Sequence, residues 1–249
     1  MFFWRSTIPG VDGGQGIEVA FTGRAAGIGE SPYSGLNLGG HVGDSPDVVE
    51  QNRGALAASL GVTRDRLLFM NQVHGTDVVE VHGPWAEAAP RVDGIVSATP
   101  RLALAVLVAD CIPVLLHDVH AGVVGAVHAG RPGLLGGIVP RAISAMHAVG
   151  ADQVSATVGP SVCGRCYEVP EELVQAAAAV APTSVTTSWT GTPAIDVAAG
   201  VIEQLTGLGV PVERVAGCTR EDEELYSYRR DGVTGRFAGV VMLHGKRGA

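Results

Sequence analysis

The chain has 249 residues, of which 46% are hydrophobic and 17% charged, and it carries a formal net charge of −8. That much apolar side chain excludes a disordered protein, and so acidic a balance excludes a nucleic-acid backbone as partner. The length suits one large α/β domain, set here at residues 1–249, with an extensive core.

A strand is predicted over 17–23, followed by a Gly/Ser/Pro-rich loop over 26–43 that contains Pro32-Tyr33 and the run from Asn37 to His41. Ser45-Pro46-Asp47 opens a helix with Val49, Leu56 and Leu60 on one face. A short strand over 67–70 delivers His74, and a second covers 78–81. Three Val-rich apolar runs, over 102–109, 114–116 and 123–127, read as buried strands. Glycine-rich residues 129–137 lead into a helix over 138–148, a strand over 154–158 and a helix from Pro170 through Val180. A last helix, over 197–208, and a last strand, over 237–243, complete one α/β domain with a mixed sheet system.

The first five residues are too short an apolar run for a signal peptide, and the stretch 102–116 is broken by Asp110, Cys111 and Pro113. The expectation is a cytoplasmic protein with no membrane partner, whose cysteines Cys111, Cys163, Cys166 and Cys218 are reduced thiols. Lys246 is the only lysine, so almost every cationic role falls to arginine.

Cys111 and His128 each close an apolar run, and His74 follows another in Asn71-Gln72-Val73-His74-Gly75. A thiol and two imidazoles would form a three-ligand metal site with one position open, a catalytic arrangement. Each residue also has an ordinary reading, since a single buried Cys is a small hydrophobe and a strand-end His can be a base or a surface residue. Asp110 beside Cys111 favours chemistry, because a carboxylate is costly to bury next to an inert thiol. Pro113 is read as ending the strand there, so that 109–113 faces a cleft. His41 lies in a loop able to line that cleft.

Cys163-Gly164-Arg165-Cys166 is a C-x-x-C with no second pair, which does not build a four-cysteine zinc knuckle and leaves a redox role open. No G-x-G-x-x-G, P-loop or G-x-S-x-G motif occurs. Among the arginines near glycine-rich turns, Arg229-Arg230 beside Tyr228 is the pair best placed to hold phosphate.

Together these motifs resemble the YfiH-type family, also described as laccase-domain or polyphenol-oxidase-like proteins, purine nucleoside phosphorylases and peptidoglycan-editing factors. The resemblance rests on Leu36-Asn37-Leu38-Gly39, His41-Val42-Gly43-Asp44, Asn52-Arg53, Gln72-Val73-His74-Gly75 and Asp93-Gly94. It continues in Ala109-Asp110-Cys111-Ile112-Pro113, Val127-His128-Ala129-Gly130, Cys166-Tyr167-Glu168-Val169, Cys218-Thr219 and Tyr228-Arg229-Arg230 with Gly235-Arg236. It implies a layered α/β fold of mixed sheets packed against flanking helices, in which His74, Cys111 and His128 bind one catalytic metal, usually zinc; copper can substitute because it binds nitrogen and sulfur donors more tightly. It further implies phosphorolysis of adenosine, inosine and methylthioadenosine, together with adenosine deamination. Purine nucleoside and phosphate would be the partners of a monomer or homodimer, with Asn37, His41, Arg24, Arg53 and Arg230 assigned to the substrate. Two departures, Arg131-Pro132 for the family's Trp-Arg and Ala26-Gly27-Ile28-Gly29 for its Gly-Gly-Val-Ser, bear on substrate preference.

Deamination needs a proton carrier, and with no His-x-Glu in the chain that role falls to Asp110 or Asp77. The eight histidines include no His-x-His pair, which disfavours a multicopper oxidase and leaves at most a single copper. A metal-free cysteine hydrolase competes, with Cys111 as nucleophile, His128 as base and Asp110 or His74 as orienter, acting on a cell-wall precursor. A small-ligand or partner-binding module is the non-enzymatic alternative.

Overall fold

Strands with both faces covered read as continuous apolar runs, and the central strands here are of that kind. The computed structural model describes residues 1–11 and 14–245. Its first half comprises β1 (Phe2–Ile8), β2 (Ile17–Thr22), α1 (Pro46–Ser59), β3 (Leu67–Phe69), β4 (Val78–Glu80), β5 (Gly94–Ser97), β6 (Ala103–Val108), β7 (Ile112–Asp118) and β8 (Val123–Ala129). There follow α2 (Arg131–Gly136), α3 (Ile138–Ala148), β9 (Ser155–Val158), α4 (Glu171–Ala178), β10 (Val185–Thr187), β11 (Pro193–Ile195), α5 (Val197–Gly207), β12 (Val212–Arg214), α6 (Tyr228–Asp231) and β13 (Phe237–Leu243).

Two mixed sheets carry the fold, one ordered β1-β2-β13-β6-β3 and the other β12-β9-β7-β8-β5-β4. Alternation along each strand assigns its side chains to two different cores. On β6, Leu104, Val106 and Val108 enter the core between the sheets, whereas Ala103, Ala105 and Leu107 face α1 and the 36–38 loop. On β7 and β8, Leu115, Val124 and Ala126 fill the inter-sheet core, whereas Val114, Leu116, Val123 and Val127 pack under α3 and α5. The layers are therefore helix, sheet, sheet and helices, the layered α/β arrangement expected. No helix among the described residues is long and apolar enough to cross a membrane.

Three local expectations are corrected. The N-terminal residues, read only as too short for an export signal, form edge strand β1 against β2. Residues 131–136 are helical, because Pro132 in the first turn starts α2 while Gly137, at φ 87°, ends it. Pro113 does not end a strand; it lies inside β7 opposite His128. His128 gives its amide to the Asp93 carbonyl on β8's other side (2.7 Å), so β8 needs no N–H from position 113, whose carbonyl accepts from the Gly159 amide after β9 (2.9 Å).

Phe21 joins the two sheets. It is fully buried on β2, and its ring occupies the space where a Cβ on Gly159, at the end of β9, would come within 2.3 Å. Truncation to Phe21→Ala is expected to cost about 3–5 kcal/mol in denaturant unfolding, whereas Leu208→Ala, on the exposed end of α5, should stay within roughly 0.5 kcal/mol.

Candidate metal centre

The site forms where the chain passes from one sheet to the other. β6 belongs to the five-stranded sheet and β7 to the six-stranded sheet, and Ala109-Asp110-Cys111 is the whole connection. So short a crossing strains the backbone, with Asp110 at φ 99°. Its carboxylate holds that conformation by accepting from Thr219 Oγ1 (2.6 Å), Ser227 Oγ (2.7 Å) and the Arg229 amide (2.6 Å). The adjacent Cys111 is thereby presented to the neighbouring strand end and loop.

His128 sits within β8 and is only 3% exposed. Its Nδ1 lies 2.8 Å from Asp93 Oδ1, which leaves Nε2 as the free ring nitrogen. The same Asp93 carboxylate accepts the backbone N–H groups of Val73 (3.2 Å), His74 (2.9 Å) and Gly75 (2.6 Å). These bonds stabilise the left-handed turn in which His74 stands at φ 59°. His74 Nε2 then lies 3.7 Å from Cys111 Sγ, and the two imidazoles meet edge to face with centroids 4.7 Å apart. One donor atom from each of His74, Cys111 and His128 falls within 4.8 Å of the others. Gly130 permits this approach, since a Cβ there would come within 2.8 Å of the His74 ring and 3.2 Å of Cys111 Sγ.

The electrostatics follow from this crowding. Burial alone would raise the Cys111 thiol, but the charge of and hydrogen bond to His128, joined by His74, bring it down to about 6. Burial alone would lower His128, but Cys111 and Asp93 raise it to about 9. Cys111 and His128 thus form a thiolate–imidazolium pair near neutrality. Burial likewise opposes ionisation of Asp93, and its bonds to His128 and the Gly75 and Val73 amides hold it below the usual carboxylate range. A soft sulfur and two imidazole nitrogens, one oriented by a carboxylate, are a donor set suited to zinc or copper.

The other residues proposed from sequence divide sharply. His41 stands on an exposed loop within reach of the triad's charge; partial burial of its ring, then Arg236, Arg53, His128 and His74, holds its pKa below the ordinary histidine value. Asn37 is fully buried, donating to Asp44 (2.8 Å) and accepting from the Gly39 and Arg236 amides, so it shapes the loop and has no exposed atom for a substrate. Arg24 bonds the Ser34 carbonyl and covers the Tyr226 ring, and Arg53 bonds the Leu38 carbonyl and Glu50 while stacking on Phe69. Arg230 is committed to the Thr219, Asp222 and Leu225 carbonyls and to Asp231. Asp110 is occupied by its three donors, and Asp77 is exposed beside Arg141, so neither carboxylate lies ready as the proton carrier.

Two residues with a part in the site are absent from that selection. Asp93 enters the sequence analysis only in its dipeptide with Gly94, yet an acidic residue in Val92-Asp93-Gly94-Ile95, entering a buried strand, is itself a signal because such a charge needs partners. Burial holds the Arg236 pKa below its ordinary value, Cys111 and Asp110 oppose that shift, and its Nη1 donates to the Thr234 and Gly235 carbonyls (3.0 Å each).

Residues 18–244 match the family described as multi-copper polyphenol oxidoreductase laccase. A purine nucleoside phosphorylase of Streptomyces coelicolor is 53% identical over 92% of this chain and 96% of its own length. Among solved structures, a Neisseria meningitidis protein superposes with a TM-score of 0.84 at 32% identity, covering 97% of this chain and 99% of that one. The Bacillus licheniformis protein YfiH gives a TM-score of 0.84 at 26% identity, covering 91% and 92%.

Removing the carboxylate charge behind His128 with Asp93→Asn should weaken zinc binding about 10- to 100-fold in a chelator competition titration. In metal-stripped protein, the rate of Cys111 alkylation should fall with a midpoint near pH 6 as the pH is lowered, because only the thiolate reacts. A midpoint near the ordinary thiol value would mean that the two imidazoles do not stabilise it.

Proposed function

The chain belongs to the YfiH-type, multi-copper polyphenol oxidoreductase laccase family, and from that premise we propose that it is a metal-dependent purine nucleoside phosphorylase. In this reading adenosine, inosine or methylthioadenosine reacts with phosphate to give the free base and ribose 1-phosphate, and adenosine is deaminated at the same site. The observation that carries it is the convergence of His74, Cys111 and His128 on one point in a chain so similar to a named phosphorylase. These three residues would hold zinc, which when bound supplies Lewis acidity and neutralises anionic charge.

In phosphorolysis a phosphate oxygen bonds to the ribose C1′ as the bond from C1′ to the base breaks, and the departing base takes a proton. Arg236 is the cation we assign to phosphate, since Cys111 and Asp110 lie near enough to act on its charge; its Nη1 caps the Thr234 and Gly235 carbonyls, as Arg24, Arg53 and Arg230 cap theirs. His41, whose pKa is lowered by burial and by the charges of Arg236 and Arg53, is assigned to a hydrogen bond with the departing base, which takes its proton from solvent. Asp93 fixes the His128 tautomer and keeps the donor set assembled. A cytoplasmic enzyme fits this reading, because nucleosides and phosphate are abundant intracellular metabolites and the four cysteines are free thiols.

A second reading has its own observation. Asp93, His128 and Cys111 also form an acid–base–nucleophile relay, with Asp93 in the orienting place for which Asp110 and His74 were candidates. That arrangement suits a metal-free hydrolase. The metal lost on going from wild type to Cys111→Ala, in protein purified without a histidine tag, separates the two. Activity that persists under chelators would favour the hydrolase.

Chromatography of adenosine incubated with phosphate should show adenine and ribose 1-phosphate, with inosine from deamination. Cys111→Ala and His128→Ala should each lower kcat/KM by more than about 100-fold. Arg236→Met should raise KM for phosphate roughly 10- to 100-fold, the loss of one hydrogen bond to a charged group, with a smaller change for the nucleoside. Background turnover of every purine nucleoside by the wild type would overturn the assignment.

A further inference from the structure

A second cluster of soft donors lies outside this site. Cys163, Cys166 and Cys218 bring their sulfurs, and Glu221 a carboxylate oxygen, within 4.8 Å of one another. None of the three cysteines is in a disulfide. The C-x-x-C of the sequence is thus completed by a second pair, Cys218-Thr219-Arg220-Glu221, whose partner residue is a glutamate.

The two pairs have the same local form. The Cys166 amide donates to the Cys163 carbonyl (2.9 Å), and the Glu221 amide donates to the Cys218 carbonyl (3.0 Å). Each turn therefore projects its first and fourth side chains to one side, the ligand spacing of zinc-binding turns. Backbone bonds press the turns together, with Ser161 N donating to Gly217 O (3.3 Å) and Thr219 N to Ser161 O (3.1 Å). The Cys163 amide points at Cys218 Sγ (3.4 Å), and Cys166 Sγ lies 3.1 Å from Glu221 Oε1. Trp189 Nε1 donates to the same carboxylate oxygen (3.3 Å), and the Arg165 guanidinium lies 3.8 Å above the Trp189 ring. This is the outer shell that orients a ligating carboxylate and moderates its charge.

We propose that Cys163, Cys166, Cys218 and Glu221 form a second zinc site, closed by four protein ligands and structural in role. Three thiols and one carboxylate around one point match the closed tetrahedral coordination of structural zinc, unlike the three-ligand site with its open position. Sulfur donors select zinc over hard cations such as magnesium or calcium. A dithiol redox centre would need only Cys163 and Cys166, and leaves the convergence of Cys218 and Glu221 without a purpose. The ion would pin the 218–222 loop, whose Thr219 bonds Asp110 next to Cys111 and gives its carbonyl to Arg230. The closed site thus braces one wall of the open one. This inference stands independently of the nucleoside reading.

The test separates the two sites. Untagged Cys111→Ser protein, grown with added zinc, is expected to retain about one zinc per chain by elemental analysis. Its Cys163, Cys166 and Cys218 should resist alkylation until a chelator is added, and Cys218→Ser in the same background should bring the zinc to background. Should that variant fail to fold, cobalt substitution of Cys111→Ser provides the second measurement. With the Cys111 thiol gone, a strong sulfur-to-cobalt charge-transfer band and tetrahedral d–d bands could arise only from this cluster. Metal-free Cys111→Ser whose three thiols alkylate freely would overturn the proposal, as would a Cys163–Cys166 disulfide in its mass spectrum or the absence of the charge-transfer band.

Discussion

One buried carboxylate organises the centre of this protein. Asp93 is fully buried at the entry to β5 and accepts one imidazole and three consecutive backbone amides. Four donors make its negative charge tolerable in the interior, where an unpaired carboxylate would be prohibitively costly. In return it sets the tautomer of His128 and the left-handed turn at His74. Two residues 54 positions apart in the chain are thereby oriented by one side chain.

The third ligand depends on a different constraint. Cys111 is delivered by a crossing between two sheets too short to relax, and the strain at Asp110 is held by Thr219, Ser227 and the Arg229 amide. Those partners come from the segment that runs from the second donor cluster to α6. The open site is thus assembled from a strand interior and a loop, both held by Asp93, and a strained crossing held through Asp110. Gly130 provides the last condition, the absence of a side chain where His74 and Cys111 approach.

The arginines show how a low-lysine chain uses its cations. Arg24, Arg53 and Arg230, which the family resemblance assigns to substrate, lie beside glycine-rich turns. Those turns expose backbone carbonyls, and the planar guanidinium fork satisfies them from one side chain. Proximity to a turn therefore marked structural arginines as readily as functional ones. Arg236 caps the Thr234 and Gly235 carbonyls in the same way, and differs in having Cys111 and Asp110 as charged neighbours, a fact its position before β13 does not reveal.

Alternating apolar runs and turn residues determined by themselves the central strands, the main helices and the α/β class, because local periodicity dictates which faces must be buried. The ordered motifs likewise singled out His74, Cys111 and His128. Local pattern could not decide that β6 and β7 belong to different sheets, that Pro113 lies within a strand, or that Asp110 supports the backbone while Asp93 supports the ligands. Nor could it bring Cys218 and Glu221 to a C-x-x-C 52 residues earlier. Those outcomes rest on which side chains meet across sheets and loops, and hydrogen-bond satisfaction of buried charge is settled only once the tertiary contacts exist.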